Sequence, residues 1–409
     1  MKITPGASAA RFDAAWSELA GIGRDRRSGG YSRHVFDDAD LLLREWFTEQ
    51  AARRGLEVET DRNGNIWAWW GTPAPGAVVT GSHLDSVPGG GAFDGPLGVV
   101  SALLAIDELR SRRAAPARPI AVVCFAEEEG GRFGLPCLGS RLLTGAADAD
   151  KVRRLHDQNS VSLADAARRA GVDPRHLGPD PDRLALIGCF VELHVEQGRL
   201  LHAADPQAVL GVGSQIVAHG RWRISVSGEG NHAGTTAPAD RHDPMVPAAA
   251  AVLAARRVLA RHPGAVATVG RVQPIPGGTN VIASAVDVWL DVRYESAGRT
   301  AALVDQIVAD VRAEAAIEGC AVTVHRESMS EHVAFDPGIA MQLSDLLTAP
   351  VIPTGAGHDA GILAAEVPSA MLFVRNPSGV SHAPGEHADT ADCLTGVNGL
   401  AEALAALAG

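Results

Sequence analysis

Gly81-Ser82-His83-Leu84-Asp85-Ser86-Val87-Pro88-Gly89-Gly90-Gly91-Ala92-Phe93-Asp94-Gly95 is the stretch that decides how this chain is read. The apolar run Ala77-Val78-Val79-Thr80 leads into it, and a helical pattern over 99–109 leaves it. A strand therefore ends, a glycine-rich loop turns, and a helix begins. The loop carries His83, Asp85 and Asp94, all metal-ligand types. Open α/β sheets hold their ligands at such strand ends. His83 and Asp85 stand two apart on an extended strand end and share a face. A carboxylate there can accept the second N–H of a metal-binding histidine and fix its tautomer. Taken alone, the stretch also reads as a Gly/Asp-rich turn with a solvent-facing histidine.

Further segments of the same kind lie outward from it. Ile120-Ala121-Val122-Val123-Cys124-Phe125 is a near-continuous apolar run, the pattern of a buried parallel strand. With the opening strand, loop and helix it forms a βαβ unit. Ala126-Glu127-Glu128-Glu129-Gly130 follows it directly. Three adjacent carboxylates at a buried strand end repel one another unless a cation is near, although an acidic helix start would look the same. Leu193-His194-Val195-Glu196-Gln197-Gly198 closes another strand-like run, and Ser381-His382-Ala383-Pro384-Gly385-Glu386 lies beyond a strand over 369–374. Each histidine alone is as readily structural. Together His83, Asp94, Glu128, His194 and His382 follow strands of one sheet and make the N/O set that two metals sharing a carboxylate require.

The chain has 409 residues, 46% of them hydrophobic, which calls for about two domains with large cores. Its net charge of −12 argues against nucleic acid and anionic membranes as partners. No apolar run reaches a membrane span, and Met1-Lys2-Ile3-Thr4-Pro5-Gly6 lacks the apolar core of a signal peptide. Five cysteines, an odd count without zinc-finger spacing, read as buried thiols in a reducing cytoplasm. Segments 209–217 are punctuated by Gly and Ser and read as a hinge. Past it the texture changes. Arg221-Trp222-Arg223-Ile224-Ser225-Val226 alternates as a half-exposed strand does, and the order β-α-β-β-α-β over 211–327 is that of a ferredoxin-like α+β unit. Residues 1–210 and 328–409 then form one α/β catalytic domain with a mixed, largely parallel sheet flanked by helices, interrupted by the inserted 211–327 domain.

The ordered motifs GSHLDSVPGGGAFDGPLGV, FAEEEGGRFG, ELHVEQG, HAGTT with Arg241 and Asp243, Asn280-Val281-Ile282, Asp291-Val292-Arg293, GAGHDA and SHAPGE run from residue 81 to 386. In these the chain resembles the M20 metallopeptidase superfamily, and within it the amidase branch of N-carbamoyl-L-amino acid hydrolases, allantoate amidohydrolases and β-ureidopropionases. The resemblance implies that His83 and His194 bind one divalent ion, Glu128 and His382 a second, and Asp94 bridges them. It implies zinc, manganese or cobalt as the metal. It also implies Glu127 as general base and Asp85 as the carboxylate that orients a ligand. Gln197, His232, Asn280 and Arg293 would hold the substrate, His232 by a hydrogen bond to the oxyanion. The inserted domain would be a lid and the surface of a homodimer, and the substrate a small ureido carboxylate hydrolysed to ammonia, carbon dioxide and the free amine compound.

That chemistry needs these residue types. A ureido carbonyl is a poor electrophile and neutral water a poor nucleophile, and two metals remedy both. A buried carboxylate can carry the water's proton to the leaving nitrogen, and an arginine grips a carboxylate in a two-pronged way that lysine does not match. An aminopeptidase or aminoacylase cutting an amide, and a non-catalytic binding protein on the same scaffold, are the competing readings. The chain departs from the branch at Ala237-Pro238, Arg199 and Arg375-Asn376. The last two are expected near the substrate and bear on its identity rather than on reaction type. His358 and Asp359 match a motif near the site without an assigned role.

Overall fold

A computed structural model describes residues 5–409 of the chain. Residues 1–4, part of the segment read for a leader sequence, lie outside the described residues. Two compact units are present: residues up to Gln215 together with Ala334–Gly409, and Ile216–Val333.

The larger unit is built on a nine-stranded mixed sheet. Its centre is four parallel strands in the order Ile120–Phe125, Ala77–His83, Ile187–Val195, Ser369–Val374. All six residues of Ile120–Phe125 and all seven of Ala77–His83 are buried, as the unbroken apolar runs require of strands covered on both faces. Antiparallel strands close both sides: Ile66–Trp70 and Glu57–Thr60 beyond Ile120–Phe125, and Leu210–Ile216 beyond Ser369–Val374. The helix Pro96–Ser111 lies on the sheet and buries Val99, Leu103 and Ile106, among others. Each such side chain contributes about 1.5–3 kcal/mol by leaving water. The C-terminal helix Thr390–Ala408 packs beside it.

The expected hinge over 209–217 is instead the strand Leu210–Ile216. Its register with Ser369–Val374 pairs Val212 with Leu372, and Val351–Thr354 pairs it on the other side. Leu210 and Val212 are buried. The glycines that made the segment look flexible sit inside a hydrogen-bonded ladder, which moves the boundary between the units about five residues C-terminal of the expected 210/211.

The smaller unit is a four-stranded antiparallel sheet in the order Ala321–Ser330, Ala218–Ser227, Ala285–Tyr294, Val266–Ile275. With helices Met245–Leu259 and Ala297–Ile317 its element order is β-α-β-β-α-β. Trp222, Ile224 and Val226 alternate into its core, facing Val286, Val288 and Leu290 and helix residues Leu303 and Ile307. The first strand continues the alternation read from sequence, and the last runs to Ser330, three residues past the expected boundary.

Candidate metal centre

The site lies in the larger unit, where the central parallel strands end. His83 is the last residue of Ala77–His83, and His194 is the penultimate residue of Ile187–Val195. Their rings stack, with centroids 5.9 Å apart. Each has its Nδ1 engaged by a backbone carbonyl: His83 with Asp85 at 3.1 Å, His194 with Val195 at 2.8 Å. A carbonyl can only accept, so both Nδ1 atoms carry protons. Both Nε2 atoms are buried without a hydrogen-bond partner and converge on one carboxylate oxygen, Asp94 Oδ1, at 3.5 and 3.2 Å.

The other oxygen of Asp94 faces a second group. Asp94 Oδ2 is 3.4 Å from His382 Nε2, which in turn is 3.5 Å from Glu129 Oε2. Donor atoms about 2.0–2.2 Å from a tetrahedral ion stand about 3.3–3.6 Å from each other. His83, Asp94 and His194 bring their ligand atoms within 4.8 Å of one another, and so do Asp94, Glu129 and His382; the four contacts given above, at 3.2–3.5 Å, lie close to that spacing. Asp94 is the one residue common to both groups.

Electrostatics point the same way. Burial and the nearby Asp94 push Glu129 up to about 7. Burial likewise drives Glu128 well above its ordinary range, with Asp359 and Glu129 adding to it. Burial would lower both histidines, yet Glu128 and Asp85 hold His83 above its usual value, and Asp94 does so for His194. The raised histidines and raised carboxylates together show how strongly this crowd of acids favours positive charge beside it. The orphaned Nε2 atoms of His83 and His194 and the crowded carboxylates around them fit divalent cations.

The carboxylate run is placed differently from the sequence reading. Glu128 was expected to pair with His382; the carboxylate that reaches His382 and Asp94 is that of Glu129. Glu128 instead turns towards the other group, its Oε2 3.7 Å from His83 Nε2, while the Cys137 thiol donates to its Oε1 at 3.3 Å. Glu127 adopts a left-handed conformation, φ 54°. Its Oε1 accepts the amides of Arg132 and Phe133 at 3.0 and 2.8 Å, and burial pushes it up to about 8. The kink at Glu127 breaks the alternation inherited from the strand, so position along the sequence no longer tells which carboxylate points where.

Asp85 sets this register. Its Oδ1 accepts the amide of Glu128 at 3.1 Å and its Oδ2 that of Glu129 at 3.0 Å. Its carboxylate also lies beside His83, Oδ1 3.5 Å from the Nδ1 that the Asp85 carbonyl engages at 3.1 Å. Gly95, at φ 85°, closes the loop: a Cβ there would stand 2.5 Å from the ring of His83. Side chains that the sequence reading left without a role back the ligands. Glu192, two residues before His194 and so on the same face of the strand, accepts from Ser82 Oγ at 2.7 Å and from the amide of Ala360 at 3.0 Å. The ring of His358 lies edge-on to His194, 4.5 Å between centroids, and Asp359 accepts from Ser140 Oγ.

Gln197 also enters the site. Its Nε2 donates to Asp94 Oδ2 at 2.6 Å and lies 3.2 Å from His382 Nε2. Arg375, expected near the substrate, is engaged by both oxygens of Asp392 at 2.9 and 3.0 Å. Asn376 shapes the turn ahead of His382, accepting from the amides of Ser378 and Gly379 and donating to the Val380 carbonyl.

In the smaller unit, His232 and Asn280 come together. Asn231–His232 pairs with Val281–Ile282, His232 opposite Val281, and the amide of Ala233 donates to the Asn280 carbonyl. His232 Nδ1 accepts from the amide of Gly234 at 3.1 Å, so in the neutral ring Nε2 carries the proton and is a donor. Arg293 lies on the four-stranded sheet, its Nε 3.2 Å from Asp291 Oδ1. Asp291 also takes His219 at 2.8 Å and Arg221 at 3.2 Å.

The model of the peptidase family M20/M25/M40 matches residues 79–406, the whole span of this site. The chain belongs to that family. Among its relatives, the allantoate amidohydrolase of Escherichia coli is 34% identical over 95% of this chain and 96% of its own. The N-carbamoyl-L-amino acid amidohydrolase of Geobacillus stearothermophilus is 33% identical over 93% of each. The crystal structure of a hydantoinase/carbamoylase-family amidase from Burkholderia multivorans aligns over 98% of both chains with a TM-score of 0.88 and 30% identity. Among the described residues no helix is long and apolar enough to cross a membrane, and the five cysteines are unpaired.

Proposed function

We propose that this protein is a di-metal amidohydrolase that cleaves the N-carbamoyl (ureido) group of a small carboxylate, releasing ammonia and carbon dioxide. The observation that carries the proposal is Asp94, one buried carboxylate whose two oxygens each face a separate set of N/O donors. His83 and His194 would hold one divalent ion, Glu129 and His382 the other, and Asp94 both. Zinc and manganese both suit such donors. When bound, the ions supply Lewis acidity that activates water and polarises the carbonyl.

The chain's own groups do the rest. Glu128, whose buried carboxylate lies 3.7 Å from His83 Nε2 and belongs to neither donor set, is our choice for the group that takes the water's proton and returns it to the leaving nitrogen. Glu127 has an oxygen committed to backbone amides and serves to shape the loop. Asp85 holds Glu128 and Glu129 in register. His232, with its Nε2–H, suits an oxyanion, a contact worth about 3 kcal/mol. Asn280 and Arg293 suit the substrate carboxylate, and Gln197 the ureido group. Ile216–Val333 would act as the lid. The names of the relatives support allantoate or N-carbamoyl-α-amino acids ahead of 3-ureidopropionate. The unpaired cysteines support a cytoplasmic setting.

Metal-loaded enzyme is expected to release ammonia from allantoate or an N-carbamoyl-L-amino acid with kcat/KM of about 10⁴ M⁻¹s⁻¹ or more, and to leave dipeptides and N-acetyl amino acids nearly untouched. Turnover of dipeptides without ammonia from any ureido acid would replace this reading with an aminopeptidase.

A homodimer through the smaller unit is part of the proposal. Val266–Ile275 is an edge strand with Val266, Val272 and Ile275 exposed, and the neighbouring helix Met245–Leu259 exposes Val246, Val252 and Leu253. An open apolar edge of this kind is a pairing surface. Sedimentation at twice the 42.4 kDa chain mass is expected; a monomer at micromolar concentration would overturn it.

A further inference from the structure

Glu386 is a buried carboxylate that the proposed chemistry leaves without a task. It follows His382 by four residues, on the irregular segment between Ser369–Val374 and the C-terminal helix. It is 4% exposed. Its Oε1 accepts two consecutive backbone amides from the far side of the site, Phe93 at 2.8 Å and Asp94 at 2.9 Å. Gly91 makes this approach possible: a Cβ at that position would lie 2.4 Å from Glu386 Oε1 and 2.5 Å from its Cβ.

The two donor sets differ in what supports them. His83 and His194 are themselves fully buried, at the ends of central parallel strands whose ladders hold them in place. His382 is on a loop, with 49% of its side chain exposed and φ 57°. Its position relative to Asp94 depends on how its loop is tied to Gly91–Gly95. Glu386 is a direct tie between the two, joining residues 292 apart in sequence through a charge-assisted pair of hydrogen bonds.

We infer that Glu386 is a positioning residue that sets the Asp94–His382 spacing and thereby the affinity for the second ion, the one held by Asp94, Glu129 and His382. This rests on the di-metal reading of the site. It assigns Glu386 no contact with substrate. A glutamine there keeps an oxygen that accepts both amides, whereas alanine leaves two buried N–H groups unpaired.

Cobalt(II) titration of metal-free protein, followed by its visible absorption and by calorimetry, tests this. Wild type should bind two ions per chain. Glu386→Ala should bind the first as wild type does and the second about 10–100-fold more weakly, the usual loss when a partner behind a ligand is removed. Glu386→Gln should recover most of that affinity. Gly91→Ala, which leaves Glu386 in place but obstructs its approach, should weaken the same ion, and it carries the test if the alanine variant at 386 does not fold. Two ions bound at wild-type affinity in Glu386→Ala, or in Gly91→Ala where that variant must serve, would overturn the inference alone. Glu386→Gln as defective as Glu386→Ala would also overturn it, since charge rather than the amide tie would then matter. Fewer than two ions in wild type would sink the di-metal reading and this inference with it.

Discussion

Asp94→Ala is expected to leave a folded protein that no longer retains a pair of ions and releases ammonia about a thousandfold more slowly or worse. Each donor set loses its shared carboxylate, Oδ1 from beside His83 and His194, Oδ2 from beside His382. The Lewis acidity at stake amounts to several kcal/mol of transition-state stabilisation, and every 1.36 kcal/mol is a factor of about ten. Asp94→Asn preserves size but offers one weak oxygen donor in place of two anionic ones, so it should fail in the same way. Metal content after gel filtration, read beside circular dichroism, is the measurement. Two ions retained at wild-type turnover would show that Asp94 bridges nothing.

The second large effect separates three adjacent carboxylates. Glu128→Gln should lower kcat by about 10²–10⁴-fold, the usual worth of a positioned acid–base group, while both ions stay bound. Glu127→Gln should be mild, because a glutamine oxygen still accepts the amides of Arg132 and Phe133 that Glu127 Oε1 accepts now. Glu129→Gln should instead weaken the ion shared with His382. One assay of kcat and one of metal stoichiometry on the three variants decide among them. A dead Glu127→Gln enzyme with two ions, beside an active Glu128→Gln enzyme, would return the proton-transfer role to Glu127.

These two experiments mark where sequence reading reached its limit. The opening loop was legible because its parts are local. A buried strand, a glycine-rich turn and a helix start follow from hydrophobic run, backbone freedom and periodicity, and they bring His83 and Asp94 to one strand end. His194 and His382 were legible as companions because each follows a strand of the same type. The ferredoxin-like order of the smaller unit followed from alternation in Arg221–Val226 and from helix spacing. The segment 209–217 was misread because glycine signals flexibility locally, whereas Leu210–Ile216 is held by strands 351–354 and 369–374, which no local signal connects to it.

The carboxylate run shows the same division within three residues. Sequence alone placed Glu127, Glu128 and Glu129 together at the end of a buried strand, where such a run reads as a cation site or as an acidic helix start. Only the tertiary structure decided which of them turns to which donor set. Asp85, more than forty residues earlier, grips the amides of Glu128 and Glu129, and the left-handed turn at Glu127 aims that side chain at the backbone. Glu386 is the extreme case, because its partners are amides of Phe93 and Asp94, and a backbone N–H carries no sequence signal at all. Residue types and strand ends are local properties and can be read along the chain. Which lone pair faces which proton depends on angles fixed by contacts between distant segments, and only the folded chain contains those.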